Sequence, residues 1–92
     1  MPRRSLAEEL YEEAKDHEDD EGHWIIVYDF EGKPNPRFWI NMHKLSAYHP
    51  GSRFLQFSVY LTGSRRVARA VVMLARHYGG SVEVFRGDSI DP

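Results

Sequence analysis

The chain has 92 residues, 41% of them apolar and 28% charged, with a formal net charge of −2 and no cysteine. A chain of this size and balance is expected to form one globular domain with a modest core, to which a second copy would add useful burial. Disulfides, thiolate metal sites and cysteine nucleophiles are excluded, and no apolar run approaches the roughly 20 residues of a membrane-crossing helix. The N-terminus is acidic and lacks the apolar stretch of a secretory signal, so a cytoplasmic setting with no membrane partner is expected.

Charge is unevenly distributed. Residues 1–23 carry three Lys and Arg against nine acids, a balance of −6, and residues 24–92 carry nine against five, a balance of +4. An acidic leader joined to a basic body suits a polyanion binder whose leader competes for the basic face, and equally suits a solvated tail.

The first element, SLAEELYEEAK, reads as a short helix capped by Ser5, with Glu8 completing a capping box and Leu6, Leu10 and Ala14 on one face. The apolar-free DHEDDEG that follows reads as an exposed linker. His17 and His23 stand among its carboxylates, but a metal site there would have no scaffold to hold its geometry. These considerations divide the chain into a leader and linker over 1–22 and a folded body over 23–92.

The body opens with HWIIVYDFEG. Trp24 to Tyr28 are apolar in both strand registers, as in a central strand covered on both faces, which leaves Asp29 at the mouth of a buried strand. Asp29 either begins a turn with Glu31 and Gly32 or marks a site. After the turn EGKPNP, Asn35 and Pro36 supply the cap and first position of a helix carrying Phe38, Met42 and Leu45 on one face. In SRFLQFSVYLTGS, Leu55, Phe57, Val59 and Leu61 alternate with Gln56, Ser58, Tyr60 and Thr62. That period is read as one strand with the first set facing the core and Ser58 and Tyr60 facing out.

Ser64 then caps RRVARAVVMLARHYGG, in which Val67, Val71, Leu74 and Tyr78 form an apolar face and Gly79 and Gly80 supply left-handed terminating positions. At 100° per residue, Arg65, Arg69 and Arg76 fall within about 40° of one another, opposite that face. Most such arginines are merely solvated, but a stripe of three without an intervening acid is a candidate nucleic-acid contact. SVEVFRG closes the body as a strand with Val82 and Val84 inward. His43, His49 and His77 have no ligand partner at i+4 and read as surface or packing residues. Strands alternate with helices, the pattern of an open sandwich with both helices of the body on one sheet face.

A strand ending in Tyr28-Asp29, a helix, a strand reading FLQFSVY, a second helix and a final SVEVF strand resemble the Cas-two family, the small CRISPR-associated adaptation proteins and endoribonucleases. The resemblance covers residues 24 to about 86, and its most specific part is Gln56, Ser58, Val59 and Tyr60. It implies an α+β, ferredoxin-like β-α-β-β-α-β fold, here with an N-terminal helical extension, and a break of RFLQFSVYLTGS into two strands near Gln56 to Ser58. It further implies a homodimer with the two Asp29 carboxylates facing each other, DNA or RNA as ligand, and a role in spacer acquisition with a CRISPR integrase as partner. The VapD-like toxin nucleases share the fold and a similar Ser-Val-Tyr pattern.

Two facing carboxylates would suit Mg²⁺, which takes one or two protein carboxylates and keeps most of its waters. Asp29 is then the candidate catalytic and metal-binding residue. Arg37, Arg65, Arg69, Arg76, Ser58 and Tyr60 are candidates for holding nucleic acid, the two hydroxyls by donating to phosphate. One carboxylate per subunit is thin for catalysis. A non-catalytic nucleic-acid scaffold and a ferredoxin-like protein-interaction domain therefore stand beside the metal-dependent endonuclease.

Overall fold

A computed structural model describes residues 4–15 and 22–88. Its elements are α1 (Leu6–Glu13), β1 (His23–Asp29), α2 (Pro36–Ser46), β2 (Arg53–Gln56), β3 (Val59–Thr62), α3 (Arg65–His77) and β4 (Ser81–Gly87). The four strands form one antiparallel sheet in the order β2-β3-β1-β4, giving a small α+β fold with three helices. β1 is central. It pairs with β3 from Trp24↔Thr62 to Val27↔Val59 and with β4 from His23↔Gly87 to Asp29↔Ser81.

The single strand expected from the alternation of residues 55–62 is two strands joined by a turn at Phe57 and Ser58. An irregularity between Phe54 and Gln56 shifts the register, so the alternation does not run through. Its parity is reversed as well: Tyr60 and Thr62 face the helices and are buried, whereas Leu55 and Phe57 are exposed. Tyr60 can point inward because Ser46 of α2 meets its hydroxyl. A buried phenol with a hydrogen-bond partner keeps both its ring burial and its polar tip.

The same parity governs β1. Trp24, Ile26 and Tyr28 turn toward the helices; His23, Ile25, Val27 and Asp29 turn to the other side, where Val27 is 37% exposed. The cover expected on both faces is therefore present on one face of the protomer.

Each helix begins where a side chain meets an orphan amide. Ser5 accepts from Glu8 N, Asn35 from Arg37 N and Ser64 from Val67 N, caps worth about 1 kcal/mol each. Phe38 on α2 is fully buried and meets Tyr28, Phe30, Trp39 and Tyr78 edge-on at centroid distances of 4.9 to 6.3 Å. Such edge-to-face pairs add to the burial energy of the rings.

α1 is part of this core. Ala7, Leu10 and Ala14 join the buried cluster formed by α2, α3 and the sheet. Asn41 Oδ1 on α2 accepts from Ala7 N at 2.9 Å. Arg66 Nε donates to Tyr11 O at 2.8 Å, its guanidinium lies 3.8 Å from the Tyr11 ring centroid, and Tyr11 stacks on Tyr48 at 3.9 Å. The ion pair between this acidic helix and the body, among the described residues, is Glu12 to Arg66. The leader helix thus packs as a structural element, and the cation it meets is Arg66, on a different side of α3 from the stripe of Arg65, Arg69 and Arg76. Of the linker expected over 16–22, residues 16–21, including His17, lie outside the described residues. No helix among the described residues is long and apolar enough to cross a membrane.

At the end of α3 only Gly79 has a positive φ, of 81°; Gly80 is required for a different reason. A Cβ on Gly80 would stand 2.7 Å from Phe30 Cε1 and 3.1 Å from the backbone oxygens of Ala75 and Asp29. Gly80→Ala is expected to lower stability by about 1–3 kcal/mol through this overpacking, read as a lower denaturant midpoint with an unchanged slope.

Candidate nucleic-acid interface

Asp29 ends β1 on the uncovered face of the sheet and is exposed; its Oδ1 accepts from Phe30 N at 3.0 Å. It lines a groove of about 350 Å³ together with Lys33, Pro34, Trp39, Phe57 and Ser58. Ser58, expected beside Asp29 as a phosphate donor, is exposed at the β2–β3 turn within this groove. Tyr60 is a correction: it is fully buried, and its hydroxyl pairs with Ser46 Oγ, so it cannot reach a phosphate.

Tyr28 holds the groove's floor to its rim. Its hydroxyl donates to Phe57 O at 2.6 Å and its amide donates to Ser58 O at 3.0 Å, so both carbonyls of the turn are bonded to the residue preceding Asp29. Burial pushes the Tyr28 hydroxyl well above the usual tyrosine range, and the neighbouring Tyr60 adds to the effect. Burial likewise raises Tyr60, with hydrogen bonds from Ser46 and Ser52 acting the other way.

The arginine stripe also has a place. Arg65, Arg69 and Arg76 line a second groove, of about 340 Å³, between α3 and β4, whose apolar floor is Trp24, Val82 and Val84 with Ala68 and Val72 of the helix. The arginines therefore border a cleft instead of standing on the helix back. The indole of Trp24 lies near two cations, with Arg65 and Arg86 at 5.9 and 5.5 Å from its ring. Its Nε1 is buried and has no hydrogen-bond partner among the described residues. Arg37 is exposed in the first turn of α2 and does not line this cleft.

The two grooves share no lining residue; what lies between them is fixed by the strand register. α3 returns to the sheet at Gly80, against Phe30 and Asp29, and Ser81 pairs with Asp29. The cleft runs from Trp24, near Arg65, to Val82, the partner of Tyr28, on the helical side of the sheet, whereas Asp29 turns to the other side. Over the eleven residues from Arg65 to Arg76 a helix rises about 16 Å.

Metal-ligating groups are sparse. Among the described residues no three His, Cys, Asp or Glu side chains come together. His23, His43 and His77 are exposed, and His49 packs against Gly63, with its Nε2 3.0 Å from where a Cβ would stand there. Sequence reasoning missed Trp24, Lys33, Trp39 and Phe57. Lys33 lay in what reads as a turn, and the three aromatics matched apolar periodicities; Trp24 and Trp39 also pack against the core, and only tertiary placement shows that they line a groove as well.

No family model, curated protein or solved structure matches this chain.

The buried phenols have a consequence for pH dependence. Unfolded tyrosines lose their protons near pH 10, while Tyr28 and Tyr60 keep theirs in the folded state, so the unfolded state binds fewer protons and stability falls as pH rises above about 10. Their contribution is fully present below that pH. Denaturant midpoints measured at pH 9 and 11 should therefore drop, and the drop should be smaller in Tyr28→Phe and Tyr60→Phe.

Proposed function

We propose that the protein is a homodimeric, Cas-two-like nucleic-acid-binding protein of ferredoxin-like fold, with Asp29 as the centre of a metal-dependent phosphodiesterase site. In this reading it acts on DNA or RNA in spacer acquisition. The observation that carries the reading is the position of Asp29: it ends β1 beyond Ile25 and Val27 on the one uncovered sheet face, while three arginines border a cleft on the helical side.

Residues of that face support a two-fold partner. Across the sheet from β2 to β4, one row is Arg53, Leu61, Ile25 and Phe85, and the next is Gln56, Val59, Val27 and Glu83. An isologous contact about an axis parallel to the strands lays each row over its own reverse. Leu61 then meets Ile25, Val59 meets Val27, and Gln56 meets Glu83, with Arg53 over Phe85. Apolar pairs fall at the centre and polar or mixed pairs at the rim, the usual anatomy of an interface. Such an axis keeps both Asp29 residues at the same end of the dimer. The antiparallel order β2-β3-β1-β4, with α2 and α3 on one face, is consistent with the ferredoxin-like reading, α1 being an added helix.

One carboxylate per chain fits Mg²⁺ only where the partner subunit's Asp29 completes the site, because this ion accepts one or two carboxylates alongside water and phosphate oxygens. The ion, when bound, would supply a Lewis acid for the phosphodiester and a more acidic water. Asp29 would hold it, Ser58 would donate to a phosphate oxygen, and Arg65, Arg69 and Arg76 would bind the backbone leading to the site. Among the described residues no three His, Cys, Asp or Glu side chains come together, which favours one alternative, a nucleic-acid scaffold of the same dimeric form without catalysis.

Asp29→Ala is expected to leave folding and dimerisation intact and to abolish Mg²⁺-dependent cleavage of oligonucleotides; equal cleavage by both proteins would refute the assignment. No cleavage by either, with binding retained, would select the scaffold. Replacing Arg65, Arg69 and Arg76 together by alanine should weaken binding to all sequences alike. It should also flatten the plot of log K against log salt by roughly 0.7–0.9 unit for each phosphate that is no longer neutralised. A salt slope equal to that of the unaltered protein would put the basic surface elsewhere.

A further inference from the structure

Among the described residues the most exposed large apolar side chain is Phe57, at 86%. A phenyl ring in open water gives its turn no burial energy, yet this turn is held firmly. Tyr28 bonds both of its carbonyls, and Trp39 stands against the Phe57 ring at 6.3 Å and 73°. The two rings line the Asp29 groove and also a neighbouring hollow of about 480 Å³ that includes His43, Phe54 and Gln56.

The groove combines two kinds of wall. Trp39, Phe57 and Pro34 are apolar; Lys33 and Ser58 are a cation and a hydroxyl suited to a phosphate oxygen. Arg37 follows in the first turn of α2, which contains no acid. Cationic and hydroxyl groups beside exposed aromatic rings are what a nucleotide with an unpaired base requires, since a base inside a duplex offers neither of its faces for stacking. A volume of about 350 Å³ lies within the range of small-molecule sites.

Building on the nucleic-acid reading above, we infer that Phe57 and Trp39 are a stacking platform for an unpaired nucleobase. Its flanking phosphate is held by Lys33 and Ser58, and the strand presented to Asp29 is single. The rigid turn is what makes the platform effective: with both carbonyls bonded to Tyr28, Phe57 is pre-positioned and little order is lost on binding.

The test compares the full-length protein with Phe57→Ser, using three fluorescently labelled oligomers: a single-stranded oligothymidylate, an abasic strand of equal length, and a duplex. The unaltered protein should bind the oligothymidylate roughly tenfold or more tighter than the abasic strand, as expected for one or two stacked bases, and should lose tryptophan emission with the former only. Phe57→Ser should lose most of that preference while its affinity for the abasic strand stays the same. An unaltered preference in Phe57→Ser, or tighter binding of the duplex than of the single strand, overturns the platform. So does a shift of Phe57→Ser from dimer to monomer in sedimentation, which would make Phe57 a subunit contact. If the unaltered protein binds none of the three oligomers, the nucleic-acid reading falls and the platform with it. If it binds them but Asp29→Ala proves silent in cleavage, only the catalytic assignment falls.

Discussion

The alternation of β1 is the constraint on which the rest of the molecule depends. This strand is hydrogen-bonded on both edges, so a shift of one residue would break two ladders and exchange its faces. In the observed register Trp24, Ile26 and Tyr28 enter the helical side, while Ile25, Val27 and Asp29 stand on the open side. The opposite register would bury a carboxylate and expose an indole and a phenol. Desolvating an unpaired carboxylate is costly enough to exclude that arrangement without further contacts.

Tyr28 then transmits the register of β1 to the site. Its ring packs on Phe38, the centre of the aromatic core, while its hydroxyl and amide hold the β2–β3 turn. Core packing, the position of Ser58 and Phe57, and the exposure of Asp29 are therefore coupled through one side chain. Gly80 makes a similar connection on the other flank, where the absence of a Cβ lets the end of α3 approach Phe30 and Asp29.

The leader helix changes the meaning of the charge asymmetry. Its acids lie on a helix whose small apolar residues, Ala7 and Ala14, pack closely in the core, with Asn41 capping the approach. The ion pair of Glu12 with Arg66 is largely exposed on the carboxylate side and contributes little by itself, while the same guanidinium also bonds Tyr11 O and lies over the Tyr11 ring. Core packing places this helix, with Arg66 fastening Tyr11. The uncovered sheet face retains apolar residues, including Phe85 at 52% exposure, that no element among the described residues covers.

Helix caps at Ser5, Asn35 and Ser64, the apolar face of α3 and the strand character of β1 and β4 were legible in the sequence, because each depends on neighbours within one turn or on a period of two or 3.6. The clustering of Arg65, Arg69 and Arg76 was legible for the same reason. The orientation of Tyr60 and Phe57 was not: the alternation puts Leu55, Phe57, Val59 and Leu61 inward, and a bulge with a tight turn resets which set faces in. Only the tertiary structure decided it, since the deciding terms are long-range. Ser46 satisfies the Tyr60 hydroxyl from another helix, and Tyr28 bonds the turn from another strand. Local pattern determined which segments are helix and strand; the partners available to each polar tip determined which side chains are core and which stay exposed.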